Sequence, residues 1–180
     1  MQRTIVVPAD LPGAALDELK QWLGIRTSTD DPALAALLRS ALETCEAFTG
    51  AMPLGATCEE ILSASGEWQS LATRPVIAIT SVEAFPAEGA RYPLAPDAFE
   101  IDIAADGIGR VRLVRQGSAG RIAVRFIAGL APAWELLPDA LRHGIVRLAA
   151  HHWRSRERGE DPAPPSAVAA LWRPWRRMRL

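Results

Sequence analysis

Between residues 57 and 128 the apolar residues stop recurring every three or four positions and begin to alternate. The runs CEEILS, EWQSL, PVIAITSVEAF, AFEIDIA, IGRVRLVR and RIAVRFIAG are separated by turn-forming stretches such as AADGIG and RQGSAG. In the last two runs Val111, Leu113, Ile122, Val124 and Phe126 alternate with Arg110, Arg112, Arg121 and Arg125. That period of two makes one face apolar and the other basic. The connections are too short for parallel crossovers, so the block predicts an antiparallel sheet.

Helical spacing flanks this block. Leu16, Leu19, Trp22 and Leu23 predict a short helix over about 12–23 that ends at Gly24. Leu34, Leu37, Leu38, Ala41, Leu42, Cys45 and Phe48 form an apolar stripe over about 32–48, with Asp31 as a candidate cap, Pro32 in the first turn and Gly50 as the stop. The Ala-rich back of this helix could meet a second helix or a neighbouring subunit. After the block, Leu141, Ile145, Leu148, Ala149 and His152 predict a long helix opened by Pro138 and Asp139 and closed by Gly159. GEDPAPPS is a stiff, Pro-rich spacer. Ser166 is placed to cap a last short helix, AVAALW, which Pro174 stops. The fold class is therefore α+β, with a body over 1–158, a β block at about 57–128, and a spacer and arm over 159–180.

At 180 residues and 49% hydrophobic, the chain suits one domain or one domain with an extended arm. It has no run of about 18 apolar residues to span a bilayer. The opening MQRTIVVPADLPG has too short an apolar stretch for a signal peptide, so synthesis in the cytoplasm is expected. Cys45 and Cys58 form no C-x-x-C pair and read as buried thiols in a reducing compartment. The formal net charge of -1 conceals a split: residues 1–141 carry 11 basic and 18 acidic side chains, whereas residues 142–180 carry nine Arg and three acids. Such a basic end suits an acidic partner.

Motifs for catalysis are missing from the sequence. His143, His151 and His152 lack H-E-x-x-H spacing and any neighbouring Cys, so no metal site is expected. Gly117-Ser118-Ala119-Gly120 is a turn rather than a nucleophile elbow. Lys20 is the only lysine, and it lies in no Walker loop. Gly107 and Gly109 lack the following helix that a dinucleotide site requires. The acids Glu59, Glu60, Asp97, Glu100 and Asp102 read as solvated strand faces. No enzyme activity and no cofactor are expected; a small hydrolase built on the β block has no motif behind it.

The end of the chain is the distinctive part. Arg and Trp side chains together suit nucleic acid, where guanidinium groups meet phosphates and indoles stack on bases. They equally suit a protein groove, where both residue types act as anchors. The stiff spacer favours the groove, because it reduces the entropy lost on docking. A nucleic-acid-binding module using this arm is the alternative reading.

Three stretches in this order resemble the head–tail connector (adaptor) proteins of long-tailed bacteriophages and phage-like gene transfer agents. They are LDELKQWLGI with DDPALAALLRSALETCEAFTG; RPVIAITSVEAF leading to VRFIAGL; and LPDALRHGIVRLAAHHWRSRE leading through the spacer to AVAALWRPWRRMRL. An aromatic at Trp175 and a basic residue before a final leucine, here Arg179-Leu180, are part of the likeness. The resemblance implies a virion structural protein made in the bacterial cytoplasm and carried at the head–tail junction. It implies a homo-oligomeric ring, commonly of twelve copies, beneath the portal protein, with DNA passing through the channel without specific binding. It also implies a platform for the next tail component (stopper or tail terminator), and contact with no membrane. The implied portal-binding residues are Leu171, Trp172, Arg173, Pro174, Trp175, Arg176, Arg177, Met178, Arg179 and Leu180, with Trp172, Trp175 and Leu180 as apolar anchors. On this reading, removal of 166–180 leaves the body folded. The helix 32–48 and the rims of the sheet are candidate faces for contacts between copies.

Overall fold

In the computed structural model the alternating runs become strands and the 3.6-period stretches become helices, giving an α+β fold. Residues 3–115, 117, 119–156 and 164–176 are described. The elements, in chain order, are β1 (Arg3–Val7), α1 (Gly13–Leu23), α2 (Asp31–Thr49), β2 (Ala56–Ser63), β3 (Gln69–Ser70), β4 (Val76–Phe85), β5 (Tyr92–Pro93), β6 (Phe99–Ile103), β7 (Gly109–Leu113), β8 (Arg121–Ala128), α3 (Asp139–Ser155) and α4 (Ser166–Trp172). The chain divides into two compact units: Met1–Ala9 with Gly55–Leu130, and Asp10–Leu54 with Ala131–Leu180. No helix among the described residues is long and apolar enough to cross a membrane.

The first unit is the β block with one addition. Its five-stranded sheet runs β1-β2-β8-β4-β5, and a three-stranded sheet runs β3-β7-β6. Every strand pair is antiparallel, as the short connections require. The alternation sets the faces: Ile122, Val124 and Phe126 are buried, and so are Val111 and Leu113 on β7. Their opposite numbers Arg110 and Arg121 are exposed, and Arg112 and Arg125 are half-buried. The addition is β1, which pairs with β2 from Arg3 opposite Glu60 to Val7 opposite Thr57. RTIVV is too short to show a period, so the sequence offers no strand signal there beyond β-branched residues. The turn between β6 and β7 is built by Gly107 at φ 79°, where a Cβ would also meet the Pro75 Cβ at 2.5 Å.

Two acids depart from the expectation of solvated strand faces. Glu60 is fully buried, and its carboxylate accepts from the Ala72 N–H (2.8 Å), the Thr73 N–H (2.9 Å) and the Thr73 hydroxyl (2.7 Å). It fastens the 71–73 loop to β2. Glu59, on the opposite face, lies between Arg91 (2.7 Å) and Arg125 (3.3 Å). A carboxylate can leave water only when such donors replace its hydration. Asp97, Glu100 and Asp102 do stay exposed, each beside an arginine: Arg115 at 2.8 Å, Arg112 at 2.7 Å and Arg110 at 3.9 Å.

The second unit is helical. The stripe on α2 buries Leu34, Leu38, Ala41 and Cys45, leaving Leu37, Leu42 and Phe48 half-buried. Packed with it are Ala15 and Leu19 of α1 and Leu141, Ile145, Leu148 and Ala149 of α3. Gly24 and Gly50 end α1 and α2 in the left-handed conformation, as expected. Asp31 does not cap α2: Asp30 holds the cap position without a side-chain bond, and Asp31 instead meets Lys20 at 2.7 Å. Trp134 is buried and donates its indole N–H to Glu18 at 3.0 Å.

Glu60→Ala would leave two backbone N–H groups and one hydroxyl without their acceptor. It is expected to lower unfolding stability by about 2–4 kcal/mol, read as a fall in the urea midpoint at unchanged slope.

Candidate functional site

The stretch singled out by sequence is the C-terminal one, and the structure divides it into an inner and an outer part. After Pro165, α4 runs only to Trp172, and a single 3-10 turn follows at Arg173–Trp175. Ser166 is the first helical residue, not the cap; Pro165 precedes it without a side-chain bond. The helix turns Val168 and Trp172 toward α3 and α2 and buries both.

Trp172 is the fixed point of this segment. Its side chain is 0% exposed. The indole sits directly over Gly144 of α3: a Cβ there would collide with its Nε1 and lie 2.8 Å from Cε2. The indole N–H donates to the Leu141 carbonyl at 3.4 Å, and the ring meets Phe48 of α2 at 5.9 Å between centroids. A helix carbonyl is normally satisfied within its own helix, so this bond closes the polar end of an otherwise apolar contact.

Past Trp172 the character changes. Arg173, Pro174 and Arg176 are exposed, and Trp175 is half-buried. The Arg176 guanidinium lies 5.5 Å over the Phe48 ring, an arrangement that holds the cation near the surface of α2. Leu171 is half-buried. Of the ten residues expected to form one docking arm, Trp172 is thus a core residue whose indole is already engaged within its own chain. Arg173, Trp175 and Arg176 keep surface available. Arg177, Met178, Arg179 and Leu180 lie outside the described residues, as do 157–163 of the spacer. The expectation that removal of 166–180 spares the body is corrected, because that deletion strips Val168 and Trp172 from the second unit. A spacing signal existed: Val168 and Trp172 are four apart, one helical face.

The other candidate groups do not assemble into reactive chemistry among the described residues. His143 packs edge-on to Trp22, with centroids 5.1 Å apart. His151 and His152 stand 6.0 Å apart, and burial, then the neighbouring His151, hold His152 below the usual imidazole range. No group of three His, Cys, Asp or Glu among the described residues could hold a metal ion. Cys45 and Cys58 are both buried, and burial, with Glu46 adding to it, pushes the Cys45 thiol up to about 12. Such a thiol is neither a nucleophile nor a ready ligand near neutral pH.

Comparison with known proteins gives one kind of match. No protein-family model matches the chain, and no curated protein matches it. Solved structures do. A chain of the neck of an empty gene transfer agent (GTA) particle, computed with C6 symmetry, superposes with a TM-score of 0.80 at 26% identity, over 100% of this chain and 97% of that one. A chain of the neck of the native GTA particle, computed with C12 symmetry, gives 0.78 at 28% identity over the same shares. A chain of the native GTA virion gives 0.76 at 27% identity, again over 100% and 97%. The likeness therefore includes both units and the C-terminal segment.

Substitution separates the two parts of this segment. Arg173→Ala, at an exposed position, is expected to leave the thermal midpoint unchanged. Trp172→Ala is expected to cost about 3–5 kcal/mol by creating a cavity over Gly144. A Trp172→Ala protein that melts with the wild type would place the indole outside the core.

Proposed function

We propose that this chain is a head–tail connector subunit of a phage-like particle, a structural protein rather than an enzyme. Copies form a ring beneath the portal protein, extend the DNA channel and present a platform to the next tail component. The observation that carries this reading is the end-to-end correspondence with a chain of a GTA particle neck. A likeness that spans every element leaves little room for a separate catalytic module. The symmetric necks of the matched particles support a ring of identical copies.

The charge distribution fits a conduit. Residues 1–141 are acidic on balance, with 11 basic and 18 acidic side chains. A wall of that character would hold translocating DNA weakly, since affinity for duplex comes largely from cations placed on phosphates. The cations are gathered at the C-terminus, where we place the portal contact. Within that contact Trp172 acts as the internal anchor that fixes where the arm leaves the body. The docking surface begins at Arg173 and uses Trp175, Arg176 and the terminal residues 177–180.

Co-purification with portal protein tests this. Trp175→Ala and the chain lacking 177–180 should each weaken portal binding at least tenfold, read on protein that circular dichroism shows to be folded. Wild-type binding should persist at moderate salt. Binding to duplex DNA that rivals portal binding and collapses steeply with salt would favour the nucleic-acid-binding alternative.

A further inference from the structure

We infer that neighbouring copies join by pairing the β1 edge of one with the β6 edge of the next. This rests on the ring reading above and names the surfaces that close it. Among the described residues the two sheets present four edges: β1 and β5, β3 and β6. The edges at β3 and β5 are two residues long, and β5 contains Pro93, which has no N–H to offer. The edges at β1 and β6 are five residues each.

Long edges are normally shielded, because an unpaired row of N–H and C=O groups templates another strand. These two instead expose large apolar side chains. On β1 all five side chains are exposed, with Ile5 at 45%, Val6 at 40% and Val7 at 56%. On β6, Ile101 is 46% exposed and Ile103 39%. The anions of β6, Glu100 and Asp102, already sit beside Arg112 and Arg110 of β7, so backbone pairing and apolar cover are what join the edges. Equal length lets the two edges pair along their whole span, and their exposed apolar side chains then cover each other. The register shift in β1 between Ile5 and Val7 leaves Arg3–Ile5 as its straight portion, where the pairing starts.

Both edges belong to the same compact unit, so the contact joins two different surfaces of one body. Such heterologous contacts propagate from copy to copy and close into rings, whereas an edge that paired with its own kind would stop at a dimer. The matched particle necks were computed with C6 and C12 symmetry, the cyclic symmetry that such contacts generate.

The test uses the full-length chain with and without purified portal rings, read by native mass spectrometry after brief cross-linking. One variant carries Ile5→Lys with Val7→Lys, the other Ile101→Lys with Ile103→Lys. All four positions are exposed, so both variants should melt as the wild type does. Each alone should need at least tenfold more protein to assemble. An equimolar mixture retains one intact edge on each partner and should give a capped heterodimer that does not grow. Rings from either variant at wild-type concentration, or a mixture that stays monomeric, would overturn the pairing. A wild-type chain that forms no ring in either condition would instead overturn the connector reading. Hydrogen exchange provides a second check free of mutation: amides of β1 and β6 should slow at least tenfold on wild-type assembly, and unchanged exchange in both would refute the pairing.

Discussion

The seat of Trp172 over Gly144 governs how the C-terminal segment can be used. A residue with no side chain on α3 lets an indole approach the helix backbone closely enough to donate to the Leu141 carbonyl. Any side chain at position 144 would push the indole out and uncover Val168 with it. The contact converts a seven-residue helix, too short to persist alone, into part of the helical unit. It also marks where burial ends, immediately before the exposed Arg173.

This changes the physical picture of an extended arm on a stiff spacer. A free arm must lose conformational entropy when it docks, and every ordered residue adds to that cost. Here α4 is already ordered on its own body, so the residues through Trp172 add nothing to that cost. Arg176 is also placed beforehand, over the Phe48 ring. One tryptophan of the pair thus fixes the segment to its own chain, and the other is left at the surface.

Much of the fold was legible because the periodicities are clean. The seven-member stripe of α2, the Arg/apolar alternation of β7 and β8, and Gly24 and Gly50 at helix ends each report a local rule that tertiary packing does not override. What was not legible depended on distant partners. RTIVV becomes a strand only because β2 offers an edge. Glu59 and Glu60 are adjacent and chemically identical, yet one lies between two arginines and the other binds the 71–73 loop. No spacing rule distinguishes them. Asp31 had the right position for a cap, but Lys20 offered a charge. In the C-terminal segment composition gave Trp172 and Trp175 one role, because a tryptophan buried against its own α3 and one left half-buried look alike without α3 in view.

The proposed function places this chain in the ring directly beneath the portal, with its last residues on the portal itself. An electron-microscopy reconstruction of the intact particle neck measures that directly. The account predicts a cyclic ring of this chain around the DNA channel, Trp172 seated over its own Gly144, and residues 173–180 in contact with the portal. A ring at another level of the neck, or a terminus that touches no portal chain, would contradict it.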